Sequence, residues 1–177
     1  MKNKNIIIVA GEPYSVFFEI FFKTFKKKKI QNFKNPIILI ASKKLLYKQM
    51  IKLNYNFKIN EIFFNEINKI KINNKKINII NVNFNFKKTF DKITSKSNNY
   101  INNCCNLAIK IIKEKGSKIL INGPIDKKFF LKKKYPGMTE YFAAKAKKIN
   151  QEIMLIYNKN LAVSPVTTHL PLKRIFK

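Results

Sequence analysis

The hydrophobic positions of this chain form two alternating patterns: short continuous apolar runs, and longer stretches in which apolar residues recur every three or four positions. Continuous runs of this length are typical of buried strands, and the wider spacing is typical of helices. The predicted strands cover residues 6–10, 36–41, 77–84, 118–122 and 154–157. The predicted helices cover residues 15–29, 43–53, 98–115 and 138–150.

Local signals support several of these boundaries. Ser42 precedes the second helix and is a good N-cap, and Gly116 follows the third helix as a C-cap. Residues 161–169 are predicted to be extended, with Pro165 disfavouring a central position in a sheet. The Lys- and Asn-rich stretch 71–78 predicts a loop or a poorly specified surface element.

Strands separated by helices of ten or more residues need crossover connections, which indicate a largely parallel sheet covered by helices. A length of 177 residues suits one α/β region. In such sheets ligands bind at the carboxyl ends of the strands. Four polar or glycine-containing segments lie beyond predicted strands and are candidate site loops: 11–13, 123–127, 135–140 and 167–169.

The chain carries 37 basic and 9 acidic residues, a formal net charge of +28. Such a charge ordinarily indicates nucleic acid or an anionic membrane as the partner. However, Arg174 is the only arginine, and the abundant Lys, Ile, Asn, Phe and Tyr share codons rich in A and T. Because base readout relies on the guanidinium fork, we predict no specific nucleic-acid partner and keep nonspecific polyanion binding as an alternative.

No apolar run approaches the roughly 18 residues that span a bilayer, and the basic start at the N-terminus precedes an apolar stretch too short for a signal peptide. We expect a soluble, cytoplasmic protein with no membrane partner. Cys104 and Cys105 are adjacent, without CxxC spacing, which favours buried or half-buried thiols in a reducing compartment.

Taken singly, the candidate loops have structural explanations. Gly-Pro after a strand is more often a tight turn than a site. Thr139 and Glu140 could cap and charge-complement the helix that follows them. His169, the only histidine, cannot by itself hold a divalent metal. The loop 11–13 lacks the glycine spacing of phosphate-binding loops.

Together and in order, four motifs resemble the 4-hydroxythreonine-4-phosphate dehydrogenases of vitamin B6 biosynthesis: IIIVAGEP, INGPIDKK, YPGMTEYFA and VTTHLPLK. The last is the most specific. The resemblance covers nearly the whole chain but corresponds only to the N-terminal half of a family member, so the C-terminal half is expected to be absent. It implies an incomplete α/β fold of the isocitrate/isopropylmalate dehydrogenase type.

The resemblance also implies site residues. His169 matches the family's first divalent-metal ligand, and Thr139 matches a threonine that contacts the substrate. Met138 stands where the family usually has a substrate-contacting histidine, and a thioether can neither donate a proton nor carry charge. Two further metal-binding histidines and the phosphate-binding residues of the family belong to the half that this sequence lacks.

By resemblance, the cofactors are NAD or NADP and a divalent metal: zinc, magnesium or cobalt. The partners are a small phosphorylated amino-acid substrate, 4-phosphooxy-L-threonine, and a second copy in a homodimer. The metal stabilises the alkoxide that forms at the hydroxyl being oxidised. Three hypotheses follow: a dehydrogenase impaired by truncation and by Met138, a folded but non-catalytic descendant, or a basic polyanion-binding protein.

Overall fold

The computed structural model describes residues 5–132, 134–149 and 151–166. The chain folds into two compact units, Met1–Phe130 and Leu131–Lys177. The expectation of one α/β region over 1–177 stays a prediction.

The first unit is built on a parallel sheet of five strands in the order β3-β4-β2-β1-β5. Every pairing between neighbouring strands is parallel. This confirms the α/β class predicted from the alternation of strands and helices. The strands are β1 Ile6–Val9, β2 Ile37–Ala41, β3 Ile59–Glu61, β4 Ile77–Asn81 and β5 Ile119–Asn122.

Two strand predictions need correction. β3 lies between the predicted helix 43–53 and the predicted strand 77–84, where no strand was predicted, because its sequence, INE, has no apolar run. In the described part of the chain it is an edge strand, paired with β4 alone. β4 ends at Asn81 rather than Phe84, and Lys43 N at the start of α3 donates to Asn81 Oδ1 (2.9 Å).

The stretch before β4 is a loop, as predicted, but it is well specified. Asn74 is buried, and its Oδ1 accepts from Ile37 N (2.8 Å). Its Nδ2 donates to the carbonyl oxygens of Phe33 (3.0 Å) and Asn35 (2.9 Å). This side chain therefore ties the loop to the start of β2.

The helices of the first unit are α1 Phe17–Phe25, α2 Lys28–Gln31, α3 Lys43–Lys52, α4 Asn98–Lys115 and α5 Lys127–Phe130. The predicted helix 15–29 is divided because Lys27 takes extended backbone, with φ −73° and ψ 125°. Ser42 caps α3 by accepting from Leu45 N, and Gly116 closes α4 at φ 75°, both as predicted.

The core lies on both faces of the sheet. On one face, α1 and α3 bury aromatic and aliphatic side chains against β2 and β4: Phe18, Phe22, Phe25, Leu45, Leu46, Met50, Leu39, Ile77 and Ile79. On the other face, α4 packs against β1 and β2. Cys104 and Cys105 lie on α4, are fully buried and form no disulfide, which confirms the thiol prediction.

The second unit contains α6 Met138–Lys145 and a two-stranded antiparallel sheet of β6 Ile156–Tyr157 and β7 Ala162–Val163. The helix ends earlier than predicted because Lys147 takes left-handed backbone, φ 59°, and Lys148 N donates to Ala143 O (2.8 Å). Residues 154–157 were predicted as a strand, and β6 occupies the second half of that stretch. Among the described residues it pairs with β7 in an antiparallel hairpin, because the connection between them is too short for a parallel crossover.

No helix within the described ranges is long and apolar enough to cross a membrane.

Candidate functional site

The candidate site lies at the carboxyl ends of β1 and β5. β1 is flanked by β2 on one side and by β5 on the other, so the direction of strand addition reverses at β1. Ligands of open α/β sheets bind in the crevice outside such a reversal. The loops 11–13 and 123–127, both predicted from sequence as candidate site loops, meet there.

Two glycines allow these loops to touch. Gly11 has φ +76°, and a Cβ on it would lie 2.3 Å from Pro124 O. A Cβ on Gly123 would lie 2.2 Å from Ala10 O. Glu12 N also donates a hydrogen bond to Pro124 O (2.8 Å), which joins the two loops directly. Since no larger side chain fits at either position, the sequence at this crossing is dictated by the close approach of two backbones.

The Glu12 carboxylate is buried at this crossing, with 2% of the residue exposed. Ser97 Oγ donates to its Oε2 (2.8 Å), whereas its Oε1 has no hydrogen-bond partner among the described residues. Burial raises the pKa of the Glu12 carboxyl, and the nearby charge of Asp126 raises it further. The hydrogen bond from Ser97 opposes that rise, and so does the nearby backbone amide of Tyr14.

A chain of hydrogen bonds links Glu12 to the loop after β5. Ser97, which bonds Glu12, immediately precedes Asn98, the first residue of α4. Asn98 Nδ2 donates to Phe129 O (2.9 Å), and Phe129 N donates to Asp126 Oδ1 (3.0 Å). Asn98 Oδ1 is buried and accepts no hydrogen bond from the described residues. The start of α4 thus holds both the buried carboxylate and the Asp126 turn.

Gln49 of α3 anchors the other side of the same loop. Its Nε2 donates to Pro13 O (3.0 Å) and to Thr89 O (2.9 Å). The residue is fully buried, and its Oε1 finds no donor in the described parts of the chain. Gln49 therefore connects the Glu12 loop to the loop that carries Thr89 and leaves an acceptor oxygen unsatisfied between them.

A buried hydroxyl and thiol lie behind this site. Ser42 N donates to Tyr100 Oη (3.0 Å). Burial raises the pKa of Tyr100 well above its usual value, and the charges of Cys104 and Glu12 add to that rise. Burial also raises the pKa of the Cys104 thiol to about 12, so it is protonated at neutral pH. These groups support the site structurally, and neither is poised as a nucleophile.

The site residues inferred by resemblance lie in the second unit or outside the described residues. Met138 and Thr139 begin α6, with Met138 half-buried and Thr139 exposed. The N-cap of α6 is Gly137, so Thr139 is not the cap, whereas Glu140 lies in the first turn, as the charge-complement explanation expects. His169 and its neighbours Thr167 and Thr168 lie outside the described residues.

The metal prediction rests on His169 and stays a prediction. Within the described ranges, no group of three or more His, Cys, Asp or Glu side chains could hold a metal. One imidazole supplies one of the three or more protein ligands that a catalytic metal needs. The described residues therefore do not form a complete metal site.

Sequence reasoning identified the Gly-Glu-Pro turn but not the role of the Glu12 side chain. The only sign of that role in the sequence was the position of an acidic residue between glycine and proline, directly after a strand. Ser97, Asn98 and Gln49 carried no such signal, because Ser and Asn before a helix are ordinary capping residues and Gln49 occupies a helical position.

A sequence model of the family described as Pyridoxal phosphate biosynthetic protein PdxA matches residues 32–177. The chain is also similar to two curated proteins named 4-hydroxythreonine-4-phosphate dehydrogenase. The protein from Sulfurihydrogenibium sp. (strain YO3AOP1) is 28% identical over 173 residues, which cover 96% of this chain and 51% of that relative. The protein from Bacteroides thetaiotaomicron is 23% identical over 182 residues, which cover 98% of this chain and 48% of that relative.

Solved structures show the same fold. The 4-hydroxythreonine-4-phosphate dehydrogenase of Burkholderia phymatum superposes with a TM-score of 0.80 at 19% identity, over 97% of this chain and 52% of that one. The enzyme of the same name from Klebsiella pneumoniae gives a TM-score of 0.77 at 18% identity, over 97% of this chain and 52% of that one. The chain thus spans about half the length of the relatives it matches, and it belongs to the PdxA family.

Proposed function

We propose that this chain supplies the N-terminal half of a 4-hydroxythreonine-4-phosphate dehydrogenase. The reaction is oxidation of 4-phosphooxy-L-threonine to 2-amino-3-oxo-4-phosphooxybutanoate, with NAD or NADP as hydride acceptor and zinc, magnesium or cobalt as the divalent metal. The product is a β-keto acid that can lose carbon dioxide. Residues 1–177 alone are expected to be inactive or strongly impaired.

The observation that supports this proposal is the match of the PdxA family model to residues 32–177. That range includes the loop after β5 and the two segments with the proposed site residues, which are the start of α6 and the segment with His169. The Gly-Glu-Pro turn precedes the matched range, but it meets the loop after β5 in the structure.

Three side chains have proposed roles in that reaction. The Thr139 hydroxyl hydrogen-bonds the substrate, and its exposed position at the start of α6 leaves it accessible. Met138 replaces a histidine, so the contact there becomes apolar and loses a proton donor. His169 supplies one metal ligand, and no chemical step is assigned to a metal held by this chain alone.

The first test measures NAD(P) reduction by the purified chain with 4-phosphooxy-L-threonine and each proposed metal. We expect no turnover above background. We expect turnover when the chain is mixed with a separately made polypeptide that spans the second half of the Sulfurihydrogenibium relative. Turnover by the chain alone would contradict the missing-ligand argument.

A matched substitution tests the role assigned to position 138. In the mixed sample, Met138→His should raise kcat/KM by about 10-fold or more, because a lost hydrogen bond to a substrate group typically costs one or two factors of ten. Met50→Leu, in the core of the first unit, is the control and should leave kcat/KM unchanged. No gain with Met138→His would show that the substitution is not what limits turnover.

The second candidate is a non-catalytic member of the family, and Met138 favours it. Its distinguishing outcome is a stable complex with the second-half polypeptide that shows no turnover even with Met138→His. A folded complex without activity would support the non-catalytic function, whereas failure to form any complex would count against both candidates.

A further inference from the structure

Carboxylates gather around the Glu12 loop, although the chain as a whole is strongly cationic. Asp126 lies close enough to Glu12 to raise its pKa. Burial raises the pKa of Tyr14, and the charges of Asp91 and Glu12 raise it further. These are three of the 9 acidic residues in a chain of net charge +28. The ion pairs among the described residues are Lys23–Glu19 and Lys43–Glu61, so none neutralises this cluster.

The same place holds unsatisfied hydrogen-bond acceptors and, among the described side chains, no unsatisfied donor. Glu12 Oε1, Gln49 Oε1 and Asn98 Oδ1 are buried oxygens without a partner in the described residues. Glu12 and Gln49 are 2% and 0% exposed. Buried polar atoms are normally paired, so several acceptors around one loop indicate a ligand that donates hydrogen bonds.

Hydrogen bonds bring these side chains to one loop. Gln49 holds the carbonyl of Pro13, the residue after Glu12. Ser97 bonds the Glu12 carboxylate and is followed directly by Asn98. Asn98 is linked through Phe129 to Asp126. The two partnerless amide oxygens therefore come from the two helices, α3 and α4, that hold the Glu12 loop.

We propose that the side chains of Glu12, Gln49, Asn98 and Asp126 form a site, the Glu12 pocket, that binds a primary ammonium group. Such a group has three or four N–H donors and a positive charge, so it meets both the partnerless oxygens and the carboxylates. A divalent metal fits less well, because it needs six or more oxygen ligands. A water molecule would supply donors but would leave the buried carboxylate uncompensated.

This site is independent of the proposed dehydrogenase reaction, since all of its residues lie in the first unit and none is among Met138, Thr139 and His169. The ammonium group could belong to free ammonium or to an amino acid. The test therefore includes both sources. Ammonium and methylammonium represent the free cation, and L-threonine represents the amino acid.

The experiment measures binding by isothermal titration calorimetry with the 177-residue chain at constant ionic strength. We expect saturable binding of at least one primary amine and no binding of tetramethylammonium, which has the same charge but no N–H donor. Affinity should fall as the pH is lowered through the raised pKa of Glu12, because the protonated carboxyl no longer attracts a cation.

Substitutions of the carboxylates test whether the amine binds at the Glu12 pocket. Glu12→Gln should weaken it at least 10-fold, and Asp126→Asn, which preserves the cap on α5, should weaken it severalfold. Glu19→Gln is the control, because Glu19 is paired with Lys23 on the surface and should have no effect. Circular dichroism shows whether each variant is folded. If Glu12→Gln does not fold, the affinity of Asp126→Asn is the result that decides.

Three results would overturn the proposal. The first is the absence of saturable binding with ammonium, methylammonium and L-threonine alike, which would mean that only water fills the pocket. The second is equal binding of tetramethylammonium. The third is unchanged affinity in folded Glu12→Gln or Asp126→Asn.

Discussion

At the scale of single residues, glycine is required at Gly11 and Gly116 for different reasons: left-handed backbone at both positions, and a close contact at Gly11 alone. Both have φ near +75°, but a Cβ on Gly11 would meet Pro124 O at 2.3 Å, whereas nothing lies within 4 Å of a Cβ on Gly116. Gly116→Ala should cost about 1–2 kcal/mol for left-handed backbone alone. Gly11→Ala should cost about 1–3 kcal/mol more for the clash. Urea denaturation measures both, and equal losses would contradict the close approach of the two loops.

The Glu12 carboxyl should make stability depend on pH. Its pKa is raised above the ordinary 4.5 in the folded protein, so the unfolded chain releases this proton first as pH rises. Unfolding therefore becomes easier from about pH 4.5 through the raised pKa, and the penalty stays constant above it. Glu12→Gln should stabilise the protein at neutral pH and have little effect at pH 4 and below, without added amine.

The control for this prediction is Glu19→Gln at the exposed Lys23 pair. It should not reproduce the pH-dependent difference. A Glu12→Gln variant that is less stable than the parent at pH 7 would show that the carboxylate is ionised and compensated in the folded state.

At the scale of elements, the cap of α3 was predicted from sequence and is seen in the structure. Ser42 Oγ accepts from Leu45 N (3.3 Å), and the residue is 1% exposed. Ser42→Ala should lower the free energy of unfolding by about 1 kcal/mol because one amide at the start of α3 loses its acceptor. Ser95→Ala, at an exposed position, is the control and should change it little. Equal losses would show that the cap is not what stabilises α3.

At the scale of the whole molecule, a net charge of +28 should destabilise the folded chain through self-repulsion. Only the two ion pairs Lys23–Glu19 and Lys43–Glu61 are seen in the described residues, so little of this charge is neutralised locally. We expect the free energy of unfolding to rise with NaCl concentration, because salt screens the repulsion. Urea denaturation at increasing NaCl measures this, and guanidinium is unsuitable because it is itself a salt. A decrease with salt would contradict the prediction.

Much of the fold was predictable because its elements have strong local patterns. The helix over 98–115 has the predicted bounds, since apolar spacing and a C-terminal glycine both act within a few residues. β3 was not predictable, because INE is polar and becomes a strand only through pairing with β4. Residues 154–157 and 161–169 were predicted as a strand and an extended segment, but their pairing with each other was not predicted, since an apolar run does not reveal which strand it pairs with.

Part of the candidate site could likewise be predicted from the sequence, and part could not. The turn Gly11-Glu12-Pro13 and the motifs of the family were visible in the sequence, and the family match confirms the resemblance. The buried state of Glu12 was not, because it depends on Ser97, which is 85 positions away. Met138, Thr139 and His169 remain predictions as substrate and metal contacts.

The sequence by itself determined the α/β class, the main strand and helix positions and the family, because apolar periodicity, caps and motifs are all local properties of the chain. Only the tertiary structure decided the strand order, the edge position of β3 and the enclosure of Glu12 between the loops after β1 and β5. The physical reason is that burial, pKa and unsatisfied hydrogen bonds belong to groups that are distant in sequence and become neighbours only when the sheet forms.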